Sequence, residues 1–272
     1  MDKAKTAGGP ITSTQLREQL GSFPPPQLVD VRAPQARAED PFLIPGARLA
    51  DVAAVDAFAD DIEPWRPVTV YCAHGQVRSQ QTVAALTQRG FDARYLDGGL
   101  DAWRASDNAT EPMREPTRWV TRERPKIDRI ACPWLVRRFI DPAAEFFYVP
   151  AAEVREFARK NAAEAYDIPD VKYSHVGELC SFDAFIRLHH LDGAALADLA
   201  LIVRGADTDV LALAAQAPGL KAFSLGLSHL FTDDHTMLRW GMLFYDALYT
   251  WCREGRAEAH SWNPASLVAN VK

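Results

Sequence analysis

The sequence predicts an α/β first part, a doubly wound parallel sheet with helices on its two faces, followed by a mostly helical second part. Three observations carry that reading. Short apolar runs alternate with helical stretches up to about residue 105. The run Val68–Cys72 (VTVYC) is apolar and β-branched without alternation, as a strand buried on both faces requires. Beyond a polar stretch from Ser106 to Pro125, which contains Pro112, Pro116 and Pro125, the apolar pattern turns helical.

In order along the chain, Pro24–Pro26 is a turn signal, and QLVDVR (Gln27–Arg32) then reads as a strand through Leu28, Val29 and Val31. VTVYC is the second strand. Ser79 to Arg89 is helical and stopped by Gly90, and ARYLDGG (Ala93–Gly99) supplies another strand and a turn. Strand, helix and strand at this spacing make βαβ units around a parallel sheet. The expected organisation is a first domain over residues 1–107, a linker over 108–117 and a second domain over 118–272. In the second domain Pro133–Ile140, Ala151–Ala163, Ala194–Val203 and His235–Arg253 read as helices. The last is amphipathic through Leu238, Met242, Tyr245 and Tyr249, and Asp233 and Asp234 read as its cap.

Composition narrows the function classes. The 272 residues are 48% hydrophobic and 24% charged, which excludes a disordered or fibrous chain. The formal charge is −6, and neither part carries the basic excess expected of a nucleic-acid binder. Cys72, Cys132, Cys180 and Cys252 form no CxxC pair, which argues against a zinc ribbon or a secreted disulfide scaffold and fits a reducing compartment. MDKAKTAGGPIT lacks the apolar stretch of a signal peptide, and the run Met237–Cys252 is interrupted by Arg239 and Asp246. The expectation is a cytoplasmic protein with no membrane partner.

The chemistry of the first domain concentrates in Cys72-Ala73-His74-Gly75-Gln76-Val77-Arg78-Ser79, which leads from a buried strand into a helix. A thiol with a pKa near 8.5 is only about 3% thiolate at neutral pH. A helix N-terminus favours the anion through unpaired N–H groups and the dipole, and Gly75 lets the backbone curl into an anion-binding nest. Arg78 offers a fork of donors to an oxyanion or persulfide partner. An isolated cysteine is more often a small buried hydrophobe. Strand, Cys, Gly, Arg and helix in this order point instead to a reactive thiolate.

These residues, with Asp30-Val31-Arg32, Ile44-Pro45-Gly46-Ala47 and Gly98-Gly99 followed by Trp103, resemble a rhodanese domain over about residues 10–105. The resemblance implies a doubly wound α/β fold in which Cys72 carries sulfane sulfur as a persulfide, backbone N–H groups from Ala73 to Arg78 stabilise its charge, and Asp30 and Arg32 brace the site. A small sulfur donor and an acceptor thiol would be its partners. The spacing Cys-x5-Arg is one residue wider than in the typical single-domain sulfurtransferase and resembles the loop of rhodanese-like phosphatases and arsenate reductases. Reduction or hydrolysis of an arsenate- or chromate-like oxyanion therefore stands beside sulfur transfer, as does anion binding alone. Against the phosphatase pattern, Tyr71 stands where a His is usual.

The second domain carries a local excess of five positive charges between Arg114 and Arg138, which reads as an anion-attracting patch or a solvated face. Asp128 and Arg129 open a helix, where Asp is ordinarily a cap. Ser174–Asp183 (SHVGELCSFD) gathers His175, Glu178, Cys180 and Asp183, and His175 and Glu178 would share a face if helical, although Gly177 also permits a loop. Arg204–Asp209 adds Asp207 and Asp209. Imidazole plus carboxylates suits a divalent metal such as Mn, Fe or Zn. The expected pocket is Asp128, His175, Glu178 and Asp207 as ligands, with Arg129 and Cys180 nearby, holding a metal or an oxyanion.

WVTRERPKIDRIACPWLVRRFIDP (Trp119–Pro142), SHVGELCSFD, VRGADTD (Val203–Asp209) and YDALYTWCREG (Tyr245–Gly255) resemble the C-terminal domain of the ChrB chromate-resistance family over roughly residues 118–255. That resemblance implies a role in chromate stress, as accessory protein, sensor or regulator. The family's N-terminal DNA-binding portion is replaced here by the rhodanese-like unit. The combined expectation is a chromate- or oxyanion-stress protein with a Cys72 sulfurtransferase-like domain and a ligand-binding second domain, with a non-enzymatic chromate sensor as the competing class.

Overall fold

The computed structural model describes residues 8–258. The chain forms two compact units. One comprises residues up to Glu123 together with Pro133–Tyr166; the other comprises Arg124–Cys132 and the residues from Asp167 onward.

The first unit is built on five parallel strands, β1 (Pro10–Ile11), β2 (Gln27–Asp30), β4 (Arg48–Leu49), β5 (Val68–Tyr71) and β6 (Ala93–Leu96), in the order β1-β6-β5-β2-β4. Between them run α1 (Ser13–Leu20), α2 (Pro34–Glu39), α3 (Val55–Ala59) and α4 (Val77–Gln88), and α5 (Gly99–Ala105) follows β6. A separate short ladder pairs β3 (Phe42–Leu43) with β7 (Glu111–Pro112). The lack of alternation in β2 and β5 has a direct cause. Val29, Val31, Val68, Val70 and Cys72 pack into one core with Val83 and Leu86 of α4, while Leu28 and Tyr71 pack into another with Leu16, Leu100 and Trp103. Both faces of the sheet are covered, so both sets of side chains are apolar.

From β2 the chain leaves to one side through α2 and β4. From β5 it leaves to the other side through α4 and β6. Neighbouring strands whose connections diverge leave a crevice at their carboxyl ends, which is where open α/β sheets place ligands.

The strands β8 (Arg118–Arg122), β9 (Glu145–Val149) and β10 (Glu164–Ala165) form a second, parallel sheet in the order β10-β8-β9. The sequence reading assigned no strands here. Its helix over Pro133–Ile140 extends back to Asp128 as α6 (Asp128–Phe139), and that over Ala151–Ala163 shortens to α7 (Val154–Lys160). These helices are the crossovers that a parallel sheet needs.

The rest of the C-terminal region is helical, as the sequence indicates: α8 (Ser181–Leu188), α9 (Ala194–Asp207), α10 (Ala217–Leu230) and α11 (Asp234–Thr250). Asp233 caps α11 by accepting the Thr236 N–H at 2.7 Å. The Tyr245 hydroxyl donates to the Ile127 carbonyl at 2.9 Å, and Gly241 packs against Ile130, so α11 holds the segment that leads into α6. Among the described residues no helix is long and apolar enough to cross a membrane.

Candidate functional site

Cys72 follows β5, the middle strand of the sheet, at its carboxyl end. Its residue surface is 7% exposed, and it lines a cavity of about 240 Å³ with Arg32, Ala33, Ala36, Ala73, His74, Gln76, Val77 and Arg78. These are the residues that follow β2 and β5, so the cavity occupies the crevice between the diverging connections.

The loop from Cys72 to Gln76 is curled by Gly75, whose φ is +67°. A Cβ there would run into the Leu96 carbonyl and lie 2.7 Å from Gly98 N, so neither the turn nor the close approach admits a side chain. The first turn of α5 fixes the loop from the other side: Leu100 N–H donates to Cys72 O at 3.0 Å and Asp101 N–H to Ala73 O at 3.1 Å. Burial alone would raise the Cys72 pKa, but the Ser79 hydroxyl and the N–H groups of Gln76, Ser79 and His74 outweigh it and bring the thiol below its ordinary range. The Ser79 oxygen lies 3.4 Å from the sulfur and donates to Gln76 O at 3.0 Å.

The other loop residues separate by role. His74 Nδ1 lies 2.7 Å from Asp101, and both side chains are exposed. Val77 is exposed at the cavity rim. Arg78 reaches back across the crevice, its Nε donating to Val31 O at 2.8 Å and its Nη2 3.8 Å from Asp51. Asp30 and Arg32 are buried and form a brace. Arg32 donates through its backbone N to Asp30 Oδ1 at 2.8 Å and through Nε to Oδ2 at 2.9 Å, and its remaining nitrogens donate to Asp40 O and Phe42 O. Tyr71, fully buried, accepts the Ile44 N–H at 3.2 Å. Burial and the adjacent Asp30 charge raise its phenol well above the ordinary value, so it is a neutral structural group.

The second unit brings Asp128, His175 and Asp207 together and adds a residue that the sequence reading missed, Asp167. His175 Nε2 lies 3.3 Å from Asp128 Oδ2, 3.3 Å from Asp167 Oδ1 and 3.2 Å from Asp207 Oδ2. Asp128 comes from the start of α6, Asp207 from the end of α9, and Asp167 from a turn with φ +52°. Arg129 Nε sits 3.2 Å from Asp167 Oδ2, and the Ser181 hydroxyl donates to Asp167 Oδ1 at 2.9 Å.

Glu178 is not part of this cluster. Residues 174–179 are not helical; Val176 and Leu179 form an isolated bridge around Gly177 at φ +61°, which leaves Glu178 exposed. The same-face argument from helical spacing therefore does not apply. Cys180 is buried within 4.8 Å of the Asp128 and Asp207 carboxylates, near the cluster as expected, its thiol donating to Asp183 at 3.4 Å, and Asp183 is held in turn by a two-pronged Arg204 contact at 2.9 and 2.6 Å. Asp209 lies outside as well, paired with Lys221. Four of the eight basic residues of 114–138 are engaged in ion pairs: Arg118 pairs with Glu145, Arg124 with Asp234, Arg129 with Asp167, and Arg138 with Glu63.

The electrostatics of the cluster follow from crowding. The Asp128 and Asp167 carboxylates push the His175 pKa up to about 10 against the opposing effect of burial. Burial and mutual repulsion raise both Asp128 and Asp207, the latter to about 8. Burial beside these acids raises the Cys180 thiol far above its ordinary range, so it is a neutral group.

Comparison with known proteins matches the two parts separately. Residues 12–106 match the rhodanese-like domain family and residues 119–252 the ChrB C-terminal domain. Thiosulfate sulfurtransferase GlpE of Pseudomonas putida is 37% identical over 98 residues, covering 36% of this chain and 83% of that protein. The chain belongs to the rhodanese-like family, and its residues 119–252 are similar to the ChrB C-terminal domain. Protein ChrB of Cupriavidus metallidurans is 32% identical over 145 residues, 51% of this chain, and the chain spans only 43% of that relative's length. Among solved structures, a rhodanese-like domain protein from Staphylococcus aureus is 30% identical, with a TM-score of 0.34, over 39% of this chain and 99% of that one. The loop around Cys72 lies inside the rhodanese-like match, and Asp128, Asp167, His175 and Asp207 lie inside the ChrB match.

Proposed function

We propose that the protein is a sulfane-sulfur carrier of chromate or oxyanion stress, working in the cytoplasm. Cys72 is its transfer residue, and the ChrB-related part is a ligand-binding module for a metal or an oxyanion. One observation carries the first half: the Cys72 sulfur sits at a strand-to-helix corner 3.4 Å from the Ser79 hydroxyl and lines a cavity, and that hydroxyl with the nearby amides of Gln76, Ser79 and His74 lowers its pKa. A sulfur sealed in apolar packing would have no such donors.

The reaction that fits this geometry has two displacements. The Cys72 thiolate attacks the outer sulfur of a donor such as thiosulfate, forming a sulfur–sulfur bond to Cys72 while the donor's own sulfur–sulfur bond breaks and sulfite leaves with the electron pair. The persulfide's outer sulfur, now anionic, lies within the amide ring that stabilised the thiolate. An acceptor thiolate then attacks that sulfur, takes it as a new persulfide and returns Cys72 as thiolate. No proton or outside oxidant is needed. The engagement of Arg78 with Val31 O and its approach to Asp51 support sulfur transfer over reduction or hydrolysis of a tetrahedral oxyanion, which needs that guanidinium turned to the substrate.

The test uses the full chain with thiosulfate and cyanide. Wild-type protein is expected to form thiocyanate and to gain one sulfur atom by intact mass, and Cys72→Ser to do neither. Transfer at the wild-type rate in Cys72→Ser removes the assignment. Arg78→Ala is expected to keep most of the sulfur transfer and to cost far more of any oxyanion reduction or hydrolysis; equal losses in the two reactions would remove that distinction.

A further inference from the structure

The second unit packs three carboxylates around one imidazole nitrogen, and one of their buried oxygens, Asp128 Oδ2, has no hydrogen bond of ordinary geometry. Asp128 is 2% exposed, and its Oδ2 accepts no hydrogen bond of ordinary geometry even though His175 Nε2 stands 3.3 Å away. A single ring nitrogen carries at most one proton, yet it faces Asp128, Asp167 and Asp207 at 3.2–3.3 Å. It can satisfy one of them. A buried carboxylate oxygen left without a donor costs several kcal/mol, a cost that a bound cation removes.

The spacing fits one. Nitrogen and oxygen ligand atoms about 2.0–2.2 Å from a divalent metal lie roughly 3.0–3.5 Å apart when they are neighbours in its shell. Asp128, Asp167 and His175 each offer a ligand atom, all within 4.8 Å of one another. Asp207 approaches the same imidazole nitrogen at 3.2 Å and shares a second such group with Asp128 and Cys180. Ser181 and Arg129 orient Asp167, and Arg129 supplies the positive charge that, with a divalent ion, balances three carboxylates. His175 is 41% exposed, which opens the cluster to solvent on one side.

We propose that Asp128, Asp167 and His175, with Asp207 as the further carboxylate, bind one divalent first-row cation of the Mn²⁺ or Fe²⁺ class. One imidazole with carboxylate oxygens and no thiolate is the donor set of those ions; Cys180, engaged with Asp183, stays outside it. This rests on the reading of the second unit as a ligand-binding module and chooses a cation over an oxyanion. It does not depend on Cys72.

The experiment strips the full-length protein with chelator and titrates it with Mn²⁺, following the free-ion resonance signal and the binding heat. One equivalent per chain is expected. His175→Gln and Asp128→Asn are each expected to weaken binding at least tenfold, while Glu178→Gln and Cys72→Ser bind as wild type. Circular dichroism checks the fold; should Asp128→Asn not fold, the half-exposed His175→Gln decides. Folded wild-type protein that takes up neither Mn²⁺, Fe²⁺ nor Zn²⁺ overturns the inference, as does binding unchanged in His175→Gln. Chromate binding without any cation overturns the cation centre but leaves the ligand-binding reading standing. Binding of neither kind removes both.

Discussion

The Ser79 hydroxyl has one proton and two acceptors within reach, the Gln76 carbonyl at 3.0 Å and the Cys72 sulfur at 3.4 Å. With a neutral thiol it serves the carbonyl; when the sulfur is anionic, rotation about the side chain turns it to the stronger acceptor. Ser79→Ala removes that response and leaves only the amides. The thiol pKa then rises, the thiolate fraction at neutral pH falls, and alkylation of Cys72 is expected to slow roughly fivefold, equivalent to about 1 kcal/mol. A pH profile of the alkylation rate, shifted upward in the variant, checks this. An unshifted profile would assign the effect to the backbone alone. At this scale the sequence was informative where everything lies close along the chain. Cysteine, glycine and serine of one loop sit three and seven positions apart, and their relation in space follows from a strand meeting a helix. It was misleading at Glu178, where three-residue spacing means a shared face only in a helix and Gly177 at positive φ breaks it. Asp167 was out of reach because nothing local marks it; a separate turn delivers it to Asp128 and His175.

Elements set the loop more than any single side chain does. The corner between β5 and α4 is clamped by the start of α5, where Gly99 at φ +61° brings its backbone against the Cys72 and Ala73 carbonyls. A Cβ at Gly99 would collide with both, as one at Gly75 would with Leu96 O. Backbone cannot move aside as a flexible side chain can, so Gly75→Ala is expected to cost about 2–4 kcal/mol and to slow Cys72 alkylation as the amide ring opens. A denaturant titration and the same alkylation assay measure the two effects. Stability unchanged within 0.5 kcal/mol, on the order of a neutral surface substitution, would mean the loop has slack that the geometry denies it. The elements themselves were legible to different degrees. β2 and β5 announced themselves as apolar runs buried on two faces, and β6 through ARYLDGG, a short strand leading into a glycine turn. The small parallel sheet β8-β9-β10 did not, because Arg118–Arg122 (RWVTR) begins and ends on charged residues and its partners lie more than twenty residues on, beyond a helix.

On the scale of the molecule, the first unit draws on chain that lies well past the rhodanese-like match. Glu63 is buried between Arg66 and Arg138, with contacts of 2.8 and 2.6 Å to the same carboxylate oxygen. Arg138 belongs to α6, inside the ChrB match, yet both partners lie in the first compact unit. Burial by itself would raise the Glu63 pKa, but the two guanidiniums outweigh it and hold it at about 2, against an ordinary value of 4.5. A carboxylate depressed on folding contributes stability that is fully present above 4.5 and drains away as pH falls toward 2. The difference corresponds to about 3 kcal/mol. Glu63→Gln leaves two buried guanidiniums facing a neutral amide, which costs about 3–5 kcal/mol at neutral pH and removes the Glu63 share of the acid dependence. Hydrogen exchange at the amides of β2 and β5 reads the first unit alone and is expected to quicken in the variant, while α9 and α11 keep wild-type protection. Wild-type exchange in β2 and β5 would show that Arg66 and Arg138 find other acceptors, and the two matched regions would then be energetically separable where the compact unit joins them.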